Sequence, residues 1–461
     1  MIRRVVLALD DRLGTAHFMR KALRKAFPDH WSFMLGEIAL YCFVVLLATG
    51  TYLGFFFDAS AQPITYNGSY PSLHGIQMSA AYASVLRLSL DIRAGLLLRQ
   101  IHHWAALVFV AAITVHMCRI FFTGAFRRPR ELNWIVGLVL LILALGAGFT
   151  GYSLPDDLLS GTGLRIAYSV LLSVPVVGGY LAFLFFGGDF PATQTIGRLF
   201  FTHVLVLPAL LVAAMAIHLG MIWRQKHTQF RGPGRTENNV IGSPLWPNYA
   251  MKSVGLLFAV AAILTALGAF FQINPIWLYG PYNPANVSSP AQPDWYIGWL
   301  EGALRLGPSW DWQIFNHTIP APFFAGVLLP LVFFTLLFVW PFLERRITHD
   351  GQPHQLLDHP SDVPWRTGVG AAVLAFAIVL TFAGSDDVQA KIVGISVERL
   401  VNLYRIMLLV LPVAVGLLTF QFARELRARR NALAEAGTRI AISRTDSGGF
   451  AEQPEKDARR P

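Results

Sequence analysis

The chain has 461 residues, of which 54% are hydrophobic and only 14% charged, with a formal net charge of +10. A soluble protein carries nearer a quarter charged residues, so composition excludes an ordinary soluble globular chain. The basic residues flank apolar blocks and form no separate basic domain, which excludes nucleic acid as a partner and favours anionic lipid headgroups.

Residues 1–32 read as a basic, amphipathic cytoplasmic arm without a cleavable signal peptide, so the first apolar block should itself direct insertion. Eight blocks follow, at 33–57, 97–122, 133–154, 199–223, 250–273, 319–343, 367–384 and 400–423. Each is long enough to cross a hydrocarbon core of roughly 30 Å. Within the connection 155–198, the apolar stretch Leu164 to Phe186 could pass for a ninth span, but Pro175, Gly178 and Gly179 interrupt it. A crossing there would throw the basic run after His218 outside, so a helical hairpin at the outer surface is expected. The connection 274–318 is also external and rich in Pro, Trp and Tyr, and residues 425–461 read as a disordered cytoplasmic tail. No strand alternation or short repeat is visible.

Eight crossings put both termini on one side, and most of the 37 Lys and Arg fall there. The positive-inside bias therefore places both termini in the cytoplasm, with the chain multi-pass in the plasma membrane. The expected fold is all-α: eight transmembrane helices, with a four-helix bundle (33–225) and a C-terminal four-helix part (226–424). Cys42 and Cys118 sit in or beside apolar helices and make neither a disulfide framework nor a thiolate metal pattern.

The second block carries His102 and His116, 14 apart, and the fourth His203 and His218, 15 apart. Each pair spans about 21–22 Å of helix, and the two members return to within roughly 40° and 60° of one face. One intramembrane histidine is commonly a packed core residue. Four at paired depths on two parallel helices predict two metal centres, His102 with His203 near the outer side and His116 with His218 near the inner side. An imidazole on each face of a flat macrocycle is bis-histidine haem ligation, so two b-type haems are expected. His103 rivals His102, and geometry separates them only weakly.

Gly36 and Gly50 in the first block are 14 apart, as are Gly137 and Gly151 in the third. Glycine permits close approach, so these helices are expected to form the flat sides of the haem slots. Arg99 lies three before His102 and Arg119 three after His116, suited to haem propionates if not merely snorkelling to the interface.

With these residues in view, the chain resembles cytochrome b of the quinol:cytochrome c oxidoreductase family, over about 31–425. His116-Met-Cys-Arg119 through Phe126-Arg-Arg-Pro-Arg-Glu-Leu-Asn-Trp134 is similar to the family's stretch after its second ligand. Gly151-Tyr152-Ser153-Leu154-Pro155 resembles the motif ending the third helix, and Pro293-Asp294-Trp295-Tyr296 resembles the family's Pro-Glu-Trp-Tyr box. The resemblance selects His102 over His103. The spacing of 15 and the Leu-Pro after His203 are like the chloroplast branch, but the single eight-helix chain looks most like the actinobacterial form. Asp294 in place of Glu shortens the carboxylate arm, and Asp156-Asp157 replaces the usual sequence after Pro155. Cys42 falls where the chloroplast branch attaches an extra haem, although a lone apolar thiol is ordinarily packing.

The resemblance implies bifurcated quinol oxidation. Quinol would enter an outer pocket between Gly151, Tyr152, Leu154 and Pro155, the 155–198 hairpin, and Pro293 to Tyr296. One electron would pass to a Rieske iron–sulfur subunit and the other through both haems to a second quinone inside, with proton translocation. A cytochrome c subunit, a homodimeric complex, a terminal-oxidase supercomplex and menaquinone follow from the same resemblance. Asp294 is the expected base, a carboxylate beside aromatic residues, or else simply the N-cap of the helix that follows. Tyr296 would position the ring, Trp295 would line the pocket, and Glu301 would relay protons. His30, Trp31 and Ser32 are the inner-site candidates, and His349, His354 and His359 read as surface residues. A non-bifurcating di-haem anchor would lack the Pro-Asp-Trp-Tyr box and the long helical connection, and a proton-relay transporter would hold no haem.

Overall fold

Lipid offers no partner for a backbone N–H or C=O, so apolar blocks of this length cross it as closed helices. The computed structural model describes residues 5, 10–12, 14–286, 292–314, 317–435 and 438–456. Among them, helix α1 (Thr15–Leu23) forms the arm and precedes the first span. The spans are α2 (Trp31–Gly54), α4 (Gly95–Phe122), α5 (Glu131–Ser153), α8 (Thr195–Gln225), α9 (Leu245–Phe270), α11 (Ala321–Thr348), α12 (Pro364–Ala383) and α14 (Val397–Ala432). Between them lie α3 (Ala80–Leu90), α6 (Leu158–Leu172), α7 (Gly178–Phe186), α10 (Trp295–Leu306) and α13 (Asp386–Val393). All eight expected crossings are present. Their outer faces are apolar, as at Phe258, Leu409 and Val413, which is how a lipid-facing helix differs from a soluble one.

The stretch 155–198 is a helical hairpin: α6 and α7 are joined across the Pro175–Gly178 interruption. Asp157 starts α6 through a capping box, its carboxylate accepting from Leu159 N at 2.9 Å and Ser160 N at 3.2 Å. Asp156 and Asp157, which depart from the family pattern, therefore build the turn into the hairpin. Burial pushes Asp156 up to about 6.

Two expectations need correction. Order does not end at 424: the last helix continues to Glu435, and Thr438–Arg444 pairs antiparallel with Phe450–Lys456. Short ladders also occur although no strand alternation is readable, for example Pro63–Thr65 with Gln77–Ser79 and Ala26–Phe27 with Ser243–Pro244. Ladders of two or three residues carry too few side chains to show a period.

The main core joins α2, α4, α5, α8 and α9 around Cys42, Ala105, Phe109, Ala144 and Leu264, and Tyr296 of α10 reaches into it. Cys42 is fully buried in this core. Gln100 of α4 exchanges two 2.8 Å bonds with the backbone of Ile273, fixing the outer end of α9. Helix α10 lies backbone to backbone on α12: a Cβ at Gly302 would stand 1.8 Å from Leu380 O. At the opposite end, fully buried Arg366 pairs with Glu344 at 2.7 Å and Asp358 at 2.8 Å, while Arg127 holds Asp358 at 3.1 Å. That network ties the loop after α4 to α11 and α12.

Candidate functional site: paired histidines and an outer cavity

A plain α-helix would leave His203 and His218 about 60° apart. Helix α8 removes part of that offset through a π turn at Thr202–Val206, in which Leu207 N bonds back to Thr202 O. Pro208 lacks the N–H that an α-helical turn would require there, so the widened turn costs little. A π turn takes up one extra residue, and fifteen residues then advance the helix as fourteen do in α4.

The rings of His102 and His203 lie with centroids 6.3 Å apart. Two metal–nitrogen bonds of roughly 2 Å plus the two ring radii give a similar separation, so the outer pair fits one iron between imidazoles. The outward nitrogens are anchored. His102 Nδ1 lies 2.9 Å from Thr49 Oγ1, and His203 Nδ1 lies 3.2 Å from Thr150 Oγ1 and 3.0 Å from Ala147 O. Nε2 of each ring is left as the free ligand atom, the arrangement that holds a ligating imidazole in one tautomer. His116 Nδ1 and His218 Nδ1 have no partner among the described residues.

The four glycines pair with the four histidines. A Cβ at Gly36 would stand 3.3 Å from the His116 ring, at Gly50 3.1 Å from His102, at Gly137 3.7 Å from His218 and at Gly151 2.5 Å from His203. The glycines therefore clear room for the imidazoles, rather than lying directly along a flat slot.

Arg99 is buried and donates from both Nη atoms to Asn274 O at 3.2 Å, leaving Nε unpartnered. Arg119 stands 4.2 Å over the Phe33 ring, and its Nε and Nη2 are buried without a partner. Unpaired buried guanidinium nitrogens fit a missing anion, as a haem propionate would supply.

Beside the outer pair is a cavity of about 840 Å³ between the end of α5, the α6–α7 hairpin, the start of α8 and α10. Tyr152, Pro293 and Glu301 line it, and so does Thr150, the residue bonded to His203. Gly151, Leu154, Pro155 and Asp294 are not in its lining; Leu154 packs instead against the hairpin core. Trp295 is 43% exposed and does not line the cavity.

Asp294 occupies the N-cap position of α10, yet its carboxylate makes no cap bond. It faces His103 instead, whose Nε2 lies 2.9 Å from Oδ1 and 3.0 Å from Oδ2, and it accepts from Tyr296 OH at 2.9 Å. Tyr296 is buried, and burial beside Asp294 holds its hydroxyl protonated, well above the usual phenol range. Gly148 makes room for it, since a Cβ there would meet Tyr296 OH at 2.4 Å. Sequence reasoning missed His103 as the partner of Asp294, and missed Gly148. The only available signal was a second histidine beside a ligand and two further glycines in α5, Gly146 and Gly148.

Glu301 bonds Arg305 at 3.0 Å, and Arg305 also reaches Asp386 at 2.6 Å. Burial raises Glu301 above the ordinary carboxyl range, opposed by Arg305. On the inner side, His30 caps the turn at Trp31–Phe33 by accepting from Ser32 N at 3.2 Å, and its ring lies 4.5 Å from Phe230. Trp31 is 70% exposed. His227, which the sequence did not single out, lies 4.6 Å from Phe27; burial and then Lys25 bring it down to about 4. His354 pairs with Asp350 at 2.9 Å and His359 caps the turn Pro360–Asp362, both structural roles.

A family profile described as Cytochrome b(N-terminal)/b6/petB matches residues 107–281. The cytochrome bc1 complex cytochrome b subunit of Mycobacterium leprae is 49% identical over 446 residues, covering 96% of this chain and 81% of the relative. Those of Corynebacterium efficiens and Streptomyces coelicolor are 45% and 46% identical, covering 96% and 91% of this chain and 82% and 77% of theirs. A solved chain titled Hyperthermophilic respiratory Complex III matches with a TM-score of 0.67 at 20% identity, over 90% of this chain and 98% of that one, a likeness of fold. Sequence identity at this level over nearly the whole length places the chain in the family of cytochrome b subunits of the cytochrome bc1 complex, the quinol:cytochrome c oxidoreductase of respiratory membranes.

Proposed function

We propose that this subunit oxidises quinol at the outer cavity with bifurcation of its two electrons. One goes to a Rieske iron–sulfur partner and on to a cytochrome c subunit; the other crosses the bilayer to a quinone at an inner site, with net proton translocation. Two b haems, held by His102 with His203 and by His116 with His218, supply the one-electron carriers for that crossing when bound. The observation that carries this reading is Thr150, which lines the cavity and bonds the imidazole of His203. The substrate space and the outer histidine pair thus share a wall one residue thick.

The chain's own residues do the rest. The hairpin and α5 give the cavity apolar walls suited to a quinol ring and tail and exclusion of water. Asp294 is outside the lining but follows Pro293, which is in it, and accepts a proton from a quinol reaching that end of the cavity, held in place by His103 and Tyr296. Glu301 opens toward the acid–arginine cluster on the far side of the cavity and gives the proton a way out. Arg99 and Arg119 would hold the haem propionates through their unpartnered nitrogens. The inner quinone lies against two aromatic clusters assigned as its wall, Phe27 with His227 and Phe230 with His30 and Phe33. Menaquinone, a dimeric complex and an oxidase supercomplex rest on the actinobacterial resemblance, and cytoplasmic termini on the charge bias of the connections.

In membranes carrying the assembled complex, Asp294→Asn should slow quinol oxidation by about a hundredfold or more, the lower range for loss of a positioned base, while the reduced-minus-oxidised haem spectrum stays unchanged. His103→Leu should give a smaller loss, because the carboxylate remains but is no longer oriented. Full quinol oxidation by the Asp294→Asn complex would overturn the assignment.

A further inference from the structure

Glu37 lies in the first span, one residue after the glycine that clears room for His116. A carboxylate at that depth is costly, and polar groups in spans usually mark a pathway. Glu344, in another span, is compensated by Arg366 at 2.7 Å. Glu37 has no such cation among the described residues. Its partners are hydroxyls: Tyr249, Ser253 at 2.6 Å and Tyr41 at 3.5 Å. Tyr41 also bonds Ser253, closing a ring of three side chains between α2 and α9, to which Tyr249 is attached through Glu37. An acid held by neutral hydroxyls is compatible with either charge state, since a hydroxyl can donate to the carboxylate or accept from the protonated acid.

The cluster has two ends. Tyr249 stacks on Phe27 at 4.4 Å, so the ring whose hydroxyl binds Glu37 joins the Phe27–His227 cluster, one of the two assigned to the inner quinone. Next to Ser253 is Lys252, paired at 2.7 Å with Asp29; both are about half exposed, and Ser243 also bonds Asp29. The carboxyl group therefore stands between a solvated ion pair and the wall assigned to the inner quinone.

We propose that Glu37 delivers protons to the quinone reduced at the inner site, with Tyr249 and Ser253 orienting it; this rests on the inner-site reading above. Quinone takes two electrons, supplied by the established reaction, and two protons. For each proton passed along this route the O–H bond of Glu37 breaks, an O–H bond forms at a quinone oxygen, and the carboxylate regains a proton from cytoplasmic water by way of the Asp29–Lys252 mouth.

The test uses membranes carrying the assembled complex with the outer site blocked by an inhibitor. In the unmodified complex, added menaquinone should reoxidise the prereduced inner haem; if it does not, the inner-site reading itself fails. Given that control, Glu37→Gln should slow reoxidation at least tenfold, leave the haem absorption bands in place, and be partly rescued by millimolar formate as a small proton carrier. The infrared difference spectrum on quinone reduction should lose a carboxyl band in the variant. Unslowed reoxidation with an unchanged infrared spectrum would overturn the proposal. So would slowing that formate does not relieve, because the carboxylate would then only clamp α2 to α9. Tyr249→Phe should slow reoxidation less than Glu37→Gln; equal or greater slowing would move the role from the acid to the tyrosine.

Discussion

At the scale of single residues, the glycines that face the four histidines leave them different amounts of room. His102, His116, His203 and His218 declare themselves because depth and face follow from spacing on one helix. The contact between His103 and Asp294 joins positions 191 apart, and nothing local to either announces it. Sequence order even made His103 look like a spare for His102; in the fold it bonds the Asp294 carboxylate. The glycines differ among themselves, and that difference is testable. A methyl at residue 151 would intrude to 2.5 Å of His203, whereas at 137 it would sit 3.7 Å from His218 in ordinary contact. Gly151→Ala should therefore displace its imidazole and cost about 1–3 kcal/mol of packing, with the outer haem's absorption lost or shifted. Gly137→Ala should leave the inner component intact. Optical and paramagnetic resonance spectra of the two variants make the comparison, and an unperturbed outer signal in Gly151→Ala would count against the pairing.

Elements show where periodicity arguments stop. Blocks of twenty apolar residues give spans reliably, and Pro175 with Gly178 correctly broke the apolar stretch into a hairpin. The π turn in α8 was hidden, because a proline in a helical pattern can equally mean a kink or a break. Its effect is on registration: one surplus residue is absorbed and the two imidazoles return toward a common face. A chain lacking Leu205, which is 55% exposed, and carrying Pro208→Ala should form an unbroken α-helix with the ligands fourteen apart. Both bis-imidazole components should survive in that variant. Disappearance of the outer one would mean that the widened turn does more than count residues. The same device recurs at Phe324–Leu328, where Leu329 N bonds Phe324 O ahead of Pro330.

At the scale of the molecule, the number of crossings could be read directly, while the joints between distant spans could not. Those joints are polar contacts between segments far apart in the chain, such as Trp134 Nε1 to Leu337 O at 2.7 Å and the buried Arg366 network. Removing one member of such a network strands the remaining charges away from water. Arg366→Leu should destabilise the subunit by roughly 3–5 kcal/mol, seen as a lower thermal midpoint of the complex and less subunit in the membrane. A midpoint equal to that of the unmodified complex would show the network to be dispensable. The extension of the last helix beyond 424 was missed because a charged, aromatic-poor segment looks unable to bury itself; continuing a helix already begun avoids the cost of nucleation.

The contact of Gly302 with Leu380 leaves α10 no room to tilt without carrying α12 along. One bank of the outer chamber is thereby a keel, stiff and shared with the rest of the hull. The opposite bank is a short hairpin pinned by backbone bonds, among the described residues, only at its start, where Leu158 N donates to Gly280 O at 2.9 Å. Variation in the guest, whether a longer isoprenoid or a bulkier inhibitor, has to be absorbed by the hairpin. Resistance that leaves Pro293–Tyr296 intact should accordingly accumulate along Leu158–Phe186 and spare the buried face of α10.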